Sequence, residues 1–263
     1  MSEFLNKFGK GGDFHEIAKL TQPTATHEDI SKGLNHDYLD FRKAAASNPN
    51  ATKEHLDKAL TDRNYKVRES AASNPKATKE HLDKALNDDS ESTRASAAKN
   101  PSATKEHLDK ALTDRNYKVR SAAASNANAT KEHLDKALND SDEDVRAAAA
   151  SNLNATKEHL DKALNDSSHR YLVKAAALNN PNVTKEHLDK ALGDRNNIRE
   201  IVAKHKKATK EHLDKALNDS DEDVRAAAAS NPNATKEQLY KALEDTTLVG
   251  EAAKKNLKGR KST

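Results

Sequence analysis

The chain of 263 residues contains no cysteine, no tryptophan, four phenylalanines and seven glycines. Without cysteine there can be no disulfide and no thiolate-held zinc or iron–sulfur centre, and this usage suits a reducing compartment. Aromatic residues make up 3% of the chain and hydrophobic residues 34%, while 33% are charged. A globular core of this length would use more large apolar side chains. Two kinds of chain fit so lean a composition: a disordered one, and a thin elongated fold whose units each bury a narrow stripe. Charge of one sign is also scarce. The 45 basic and 42 acidic residues leave a formal net charge of +3, so bulk electrostatics do not call for nucleic acid or an anionic membrane. No stretch approaches the ~20 apolar residues of a membrane span, and Met1–Gly9 lacks the apolar run of a secretory leader. These absences point to a cytoplasmic protein, or one packed within a virion if the source is viral.

What the chain has is repetition. ATKEHLDKAL stands at 51–60 and returns unchanged at 77–86, 103–112, 129–138, 155–164 and 208–217, with variants at 25–34, 183–192 and 234–243. The threonines at 26, 52, 78, 104, 130, 156, 184, 209 and 235 are 26 residues apart, except for one step of 28 and one of 25. A fixed period in this range is the signature of a solenoid, which selects the elongated fold over disorder. The pattern predicts an all-α fold, an α-solenoid of about nine two-helix repeats.

In each period a first helix, A, opens on the threonine, a good N-cap. Leu56, Ala59 and Leu60 make its apolar stripe, and pairs such as Glu54 and Lys58, four apart, would neutralise its outer face. A second helix, B, is clearest at Ser141–Asn152, with Val145, Ala148 and Ala149 as its stripe. Asparagine then ends it, usually before proline, as at Asn74–Pro75 and Asn100–Pro101. Asparagine tolerates the left-handed conformation at a helix end, and proline blocks continuation. With neighbouring helices ~8–10 Å apart, nine repeats would make a rod or arc roughly 80 Å long. Residues 1–12 form an N-terminal segment with a glycine-rich tether, 13–253 one repeat domain, and 254–263 a basic tail. Phe4, Leu5 and Phe8 in the first segment suit either a cap over the first repeat or a docking peptide.

The segments DEDVRAAAASNLNATKEHLDKAL at 142–164 and DEDVRAAAASNPNATKEQLYKAL at 221–243 resemble the leucine-rich repeat variant and, more broadly, HEAT-like α-solenoids. The resemblance spans Thr24 to Leu243 and rests on the aspartate and valine–arginine pair of helix B, the alanine run, the turn and the leucines of helix A. It implies a right-handed superhelix that binds partners, with no shared activity. HEAT units usually run to 40–47 residues, so this chain matches the compact variant.

Alignment of the repeats turns single residues into columns. An arginine column comprises Arg42, Arg68, Arg94, Arg120, Arg146, Arg199 and Arg225, with Lys174 in the eighth place. Beside it runs Asp62, Asp88, Asp114, Asp140, Asp166, Asp194 and Asp219. A basic column can grip phosphates, but the acidic neighbour favours a structural ladder. Seven histidines, His55, His81, His107, His133, His159, His187 and His212, stand one per helix and about one repeat apart, too far for one ion with ~2.0–2.1 Å bonds. They read as a repeated surface or packing choice, with no metal and no cofactor. Gly-Lys-Gly-Gly at 9–12 lacks the spacing of a phosphate-binding loop, and no unique constellation suggests an enzyme.

Departures from the repeat carry the functional signal. Residues 62–68 and 114–120 both read DRNYKVR, and SSHRYLVK at 167–174 adds two residues. Arginine and tyrosine are favoured interface anchors, so Arg63, Tyr65, Arg115, Tyr117, Arg170 and Tyr171 are the candidate partner-binding residues. The leading reading is a non-enzymatic scaffold for a protein partner. A HEAT-like nucleic-acid binder and a structural spacer or virion component are the alternatives.

Overall fold

The computed structural model describes residues 12–166 and 171–260, with side chains from residue 16 onward. Among them are nineteen helices and no strand, an α-solenoid of tandem two-helix repeats. They fall into two compact units that divide after Ala137.

In the first unit, α1 (Gly12–Leu20) precedes the pairs α2 (His27–Leu34) with α3 (Leu39–Ser47), α4 (Lys53–Ala59) with α5 (Tyr65–Ser73), α6 (Lys79–Ala85) with α7 (Glu91–Lys99), and α8 (Lys105–Ala111) with α9 (Tyr117–Ala124). Helix α10 (Lys131–Ala137) closes the unit. The second unit opens on α11 (Glu143–Ser151) and continues with α12 (Lys157–Leu164) and α13 (Tyr171–Asn179), α14 (Lys185–Ala191) and α15 (Asn196–Lys204), α16 (Lys210–Leu217) and α17 (Glu222–Ser230), and α18 (Lys236–Ala242) and α19 (Thr247–Gly259). Even-numbered helices are the A helices and odd-numbered ones the B helices. Helix α19 runs through Lys254, so much of the segment set apart above as a basic tail is helical.

The A helices have only seven or eight residues, too short to persist alone in water. Their leucines explain how they persist here. Leu56, Leu82, Leu108, Leu134, Leu160, Leu188, Leu213 and Leu239 are fully buried, and each such burial contributes about 2 kcal/mol. In α11 the buried residues are Val145, Ala147, Ala149 and Ala150, whereas Ala148 is half-buried; in α17 the stripe the sequence pattern marks is buried at Val224, Ala227 and Ala228. Small alanines let successive B helices approach closely. At the start of the array Gly33 does the same for α1: a Cβ there would lie 2.9 Å from both Leu20 and Ala45.

The asparagine column corrects a second expectation. Asn48, Asn74, Asn152 and Asn231 end their helices in extended backbone, with φ between −64° and −69° and ψ between 130° and 137°. None is left-handed, because the proline or other residue after the asparagine continues an extended turn. Their recurring chemistry lies in the side chain instead. Asn74 Nδ2 donates to the carbonyls of Ala46 at 2.9 Å and Asn48 at 3.0 Å, both in the preceding repeat. Its Oδ1 accepts from the N–H of Lys76 at 2.9 Å. Asn100 and Asn126 repeat the arrangement in the first unit, and Asn180, Asn231 and Asn256 donate likewise in the second. Each amide thus joins two repeats through buried carbonyls that have lost water. Asn100→Ala should lower unfolding stability by about 2–3 kcal/mol, since two buried acceptors lose their donor, and Asn100→Asp should do no better. Chemical denaturation checks this; a midpoint unchanged from wild type contradicts it.

Candidate functional site

The residues singled out from the sequence separate by burial. Arg42, Arg68 and Arg94 in the first unit reach forward twenty residues to the next repeat: Arg42 Nε to Asp62 at 2.7 Å, Arg68 Nε to Asp88 at 2.6 Å, Arg94 Nε to Asp114 at 2.7 Å. In the second unit Arg146 meets Asp166 at 2.6 Å, Arg199 meets Asp219 at 2.6 Å, Arg225 meets Asp245 at 2.8 Å, and Lys174 meets Asp194. The guanidinium is spent further within its own repeat, where Arg68 Nη1 donates to the carbonyl of Asp62 at 2.9 Å. Arg120 Nη1 does the same to Asp114. Each aspartate is also a turn cap: Asp62, Asp88 and Asp114 accept from the N–H two residues on, as does Asp140 from Asp142.

For Asp88 and Asp114, burial alone would raise the carboxyl pKa. Hydrogen bonds from the paired arginine and the turn N–H outweigh it and hold both below the ordinary aspartate value. Asp219 is lowered chiefly by its bond from Arg199. These charges are turned inward and matched, which leaves little of the ladder to bind a phosphate.

The histidines are buried capping groups. Thr78, Thr104, Thr156, Thr184 and Thr209 each stand at a helix N-cap, and the histidine three residues later completes the box. His81, His107, His133, His187 and His212 Nδ1 each accept the threonine N–H at 2.9 Å. Accepting at Nδ1 places the ring proton on Nε2, which points at an aspartate of the preceding repeat: His107 to Asp83 and His133 to Asp109 at 3.1 Å, His81 to Asp57 and His212 to Asp189 at 3.2 Å. Some helix glutamates turn to the cap as well, with Thr78 and Thr104 hydroxyls donating to Glu80 and Glu106 at 2.6 and 2.7 Å, whereas Glu28 and Glu237 pair with Lys32 and Lys241 four residues on, at 2.7 and 3.7 Å. The ends of the array explain the column. Asp29 takes the histidine's place in α2 and Gln238 in α18, and Gln238 both accepts from Thr235 N–H and donates to Asp214, each at 2.7 Å. What histidine, aspartate and glutamine share is an acceptor in the slot where a capping box ordinarily carries glutamate or glutamine. That signal was present in the sequence. No group of three or more metal-ligating side chains occurs among the described residues.

The partner-binding candidates stand outside these ladders. Tyr65 and Tyr117 open α5 and α9 and are 42% and 37% exposed; Tyr171 opens α13 and is 48% exposed. Arg63 and Arg115 are exposed in the turns before the first two. Arg170 lies outside the described residues. Tyr65 and Tyr117 hold the same register position two repeats apart, and an open groove of about 500 Å3 lies beside Arg63 and Tyr65, reaching Asp89, Ser90 and Glu91 at the start of α7.

Acid should weaken the array in two stages. Burial, with His27 beside it, holds His55 below the ordinary histidine value, and burial together with Lys207 and Lys206 does the same for His205. Both are neutral in the fold, so the unfolded chain takes up the proton first. The stability they contribute is present above about pH 6.5 and lost as pH falls below it. The lowered aspartates contribute stability present above about pH 3.9, which is lost as pH falls through their folded values. Thermal unfolding from pH 7.5 to 3 should show both declines. His55→Gln with His205→Asn, which keep the acceptors that Thr52 and Lys207 N–H require, should flatten the upper one. An upper decline equally steep in that variant contradicts the assignment.

No family model matches the chain, and no curated protein matches its sequence. Solved structures with a similar fold include a leucine-rich repeat variant described as a novel repetitive structural motif, at 21% identity and a TM-score of 0.48, covering 86% of this chain and 80% of that one. The X-ray structure of YibA from Escherichia coli is 20% identical with a TM-score of 0.47, covering 95% and 98%. A designed armadillo repeat protein in complex with the peptide (KR)4 is 18% identical with a TM-score of 0.18, covering 97% of each chain. No helix among the described residues is long and apolar enough to cross a membrane. The chain is a tandem helical-repeat protein, and its structural neighbours include a leucine-rich repeat variant and YibA.

Proposed function

We propose that this protein is a non-enzymatic scaffold that recognises a protein partner through the starts of its B helices. One observation carries the reading. The columns that repeat in every unit are consumed internally, Arg68 by Asp88 and its own turn, Asn100 by carbonyls of the preceding repeat, while the tyrosines that break the repeat stand exposed. Tyrosine brings a large, rigid contact area with a polar tip, and exposed arginine beside it supplies directional hydrogen bonds. Arg63, Tyr65, Arg115 and Tyr117 form this set in the first unit; Tyr171, with Arg170 before it in sequence, is its counterpart in the second.

Nucleic acid is the second reading, because DRNYKVR carries cations outside the ladder at Arg63, Lys66, Arg115 and Lys118, for which no side-chain ion pair occurs among the described residues. The two readings separate by salt and nuclease. With the purified protein as bait in native lysate, a protein should be recovered at low and moderate salt, with and without nuclease. Replacing Tyr65, Tyr117 and Tyr171 by alanine should reduce that recovery while leaving the helical circular dichroism intact. Undiminished recovery by the triple variant overturns the assigned surface, and recovery that vanishes with nuclease or modest salt transfers the function to nucleic acid.

A further inference from the structure

The exposed charges along the first unit's B-helix starts alternate in sign by repeat. The turn before α5 and its first residues present Arg63, Tyr65 and Lys66; the corresponding stretch before α7 presents Asp89 and the half-buried Glu91; that before α9 presents Arg115, Tyr117 and Lys118. The neighbouring ladder arginines do not blur this pattern, since Arg68 and Arg94 are neutralised by Asp88 and Asp114. The groove beside Arg63 and Tyr65 extends to Asp89, Glu91 and Ser92, so the first basic block and the acidic block share one concavity.

We infer that this edge binds an extended peptide whose charges run acidic, basic, acidic. The inference deepens the scaffold reading and rests on it. The acidic block decides against a nucleic acid strand. A phosphate backbone carries negative charge without interruption, and a strand reaching from Arg63 to Arg115 would have to cross Asp89 and Glu91. A peptide can change sign where the surface does. The spacing follows from the repeat. Two steps of about 8–10 Å between packed helices separate the basic blocks by roughly 16–20 Å, which an extended chain at about 3.3 Å per residue covers in five or six residues. The recognised segment thus places acidic residues about six apart, with a basic residue midway. Apolar residues between them would lie toward the tyrosine rings.

The test uses the full chain and four probes followed by fluorescence anisotropy at low salt. They are a labelled peptide Glu-Glu-Leu-Lys-Lys-Leu-Glu-Glu, the same composition with both lysines at one end, a peptide with glutamate in place of the lysines, and an eight-nucleotide oligothymidylate. The patterned peptide should bind most tightly. Arg63→Glu with Arg115→Glu should weaken it by about tenfold, the sum of a few exposed ion pairs, and Asp89→Lys with Glu91→Lys should transfer the preference to the all-acidic peptide. Equal binding of patterned and rearranged peptides, or tighter binding of the oligothymidylate by the unaltered protein, overturns the inference. Should the tyrosine replacements abolish partner recovery while the peptides show no preference, the scaffold survives and the charge pattern falls; if neither responds, both fall.

Discussion

The recurring arginine, asparagine and histidine side chains of this fold are turned toward the adjacent repeat, and the rest of the structure depends on that handover. Arginine reaches forward twenty residues to aspartate, asparagine reaches back to two carbonyls, and histidine reaches back to aspartate. A single repeat would leave its guanidinium, amide and ring N–H in water without these bonds and its leucines uncovered, and its two-turn helices could not persist alone. Stability accordingly belongs to the junctions, as expected where each unit contacts only its neighbours.

The ends of the array show the same economy in reverse. In the last repeat Glu251 occupies the arginine position and Tyr240 the position of the aspartate that would receive a histidine, while the backward-reaching groups, Gln238 and Asn256, are kept and engaged. In α2 Asp29 takes the histidine's place, makes the capping box and accepts from Lys19 of α1 at 2.8 Å. Constant columns thus serve the junctions, and positions free of that duty, such as those of Tyr65 and Glu91, are where sequence can vary for recognition.

Much of this was legible before any coordinates. Threonine, leucine and alanine columns mark the helices because capping and burial are local demands with a local spacing. The asparagine column's turn capping is legible in the sequence, but its reach across the junction is not, since those partners lie 26 and 28 residues away and only the packed turn brings Ala72 and Asn74 carbonyls under Asn100. Histidine's versatile chemistry hides its capping role, and Asp29 and Gln238, which share only an acceptor with it, carry the clue. An alanine run has no polar face to set its phase, so the pattern points to Ala148 where the fold buries Ala147, Ala149 and Ala150. Tyr65, Tyr117 and Tyr171 stand out because they depart from the repeat, and their exposure is consistent with recognition without naming a partner.

A double-mutant cycle across one junction tests the account most directly. Arg94→Ala, Asp114→Ala and the double variant would be compared with wild type by denaturant unfolding. Because either truncation strands a charge that is almost wholly buried, each single variant should lose about 3 kcal/mol, and the double variant should recover much of one loss, a coupling of about 2 kcal/mol. Losses that simply add, with no coupling between the two residues, would contradict the claim that the junctions hold the array together.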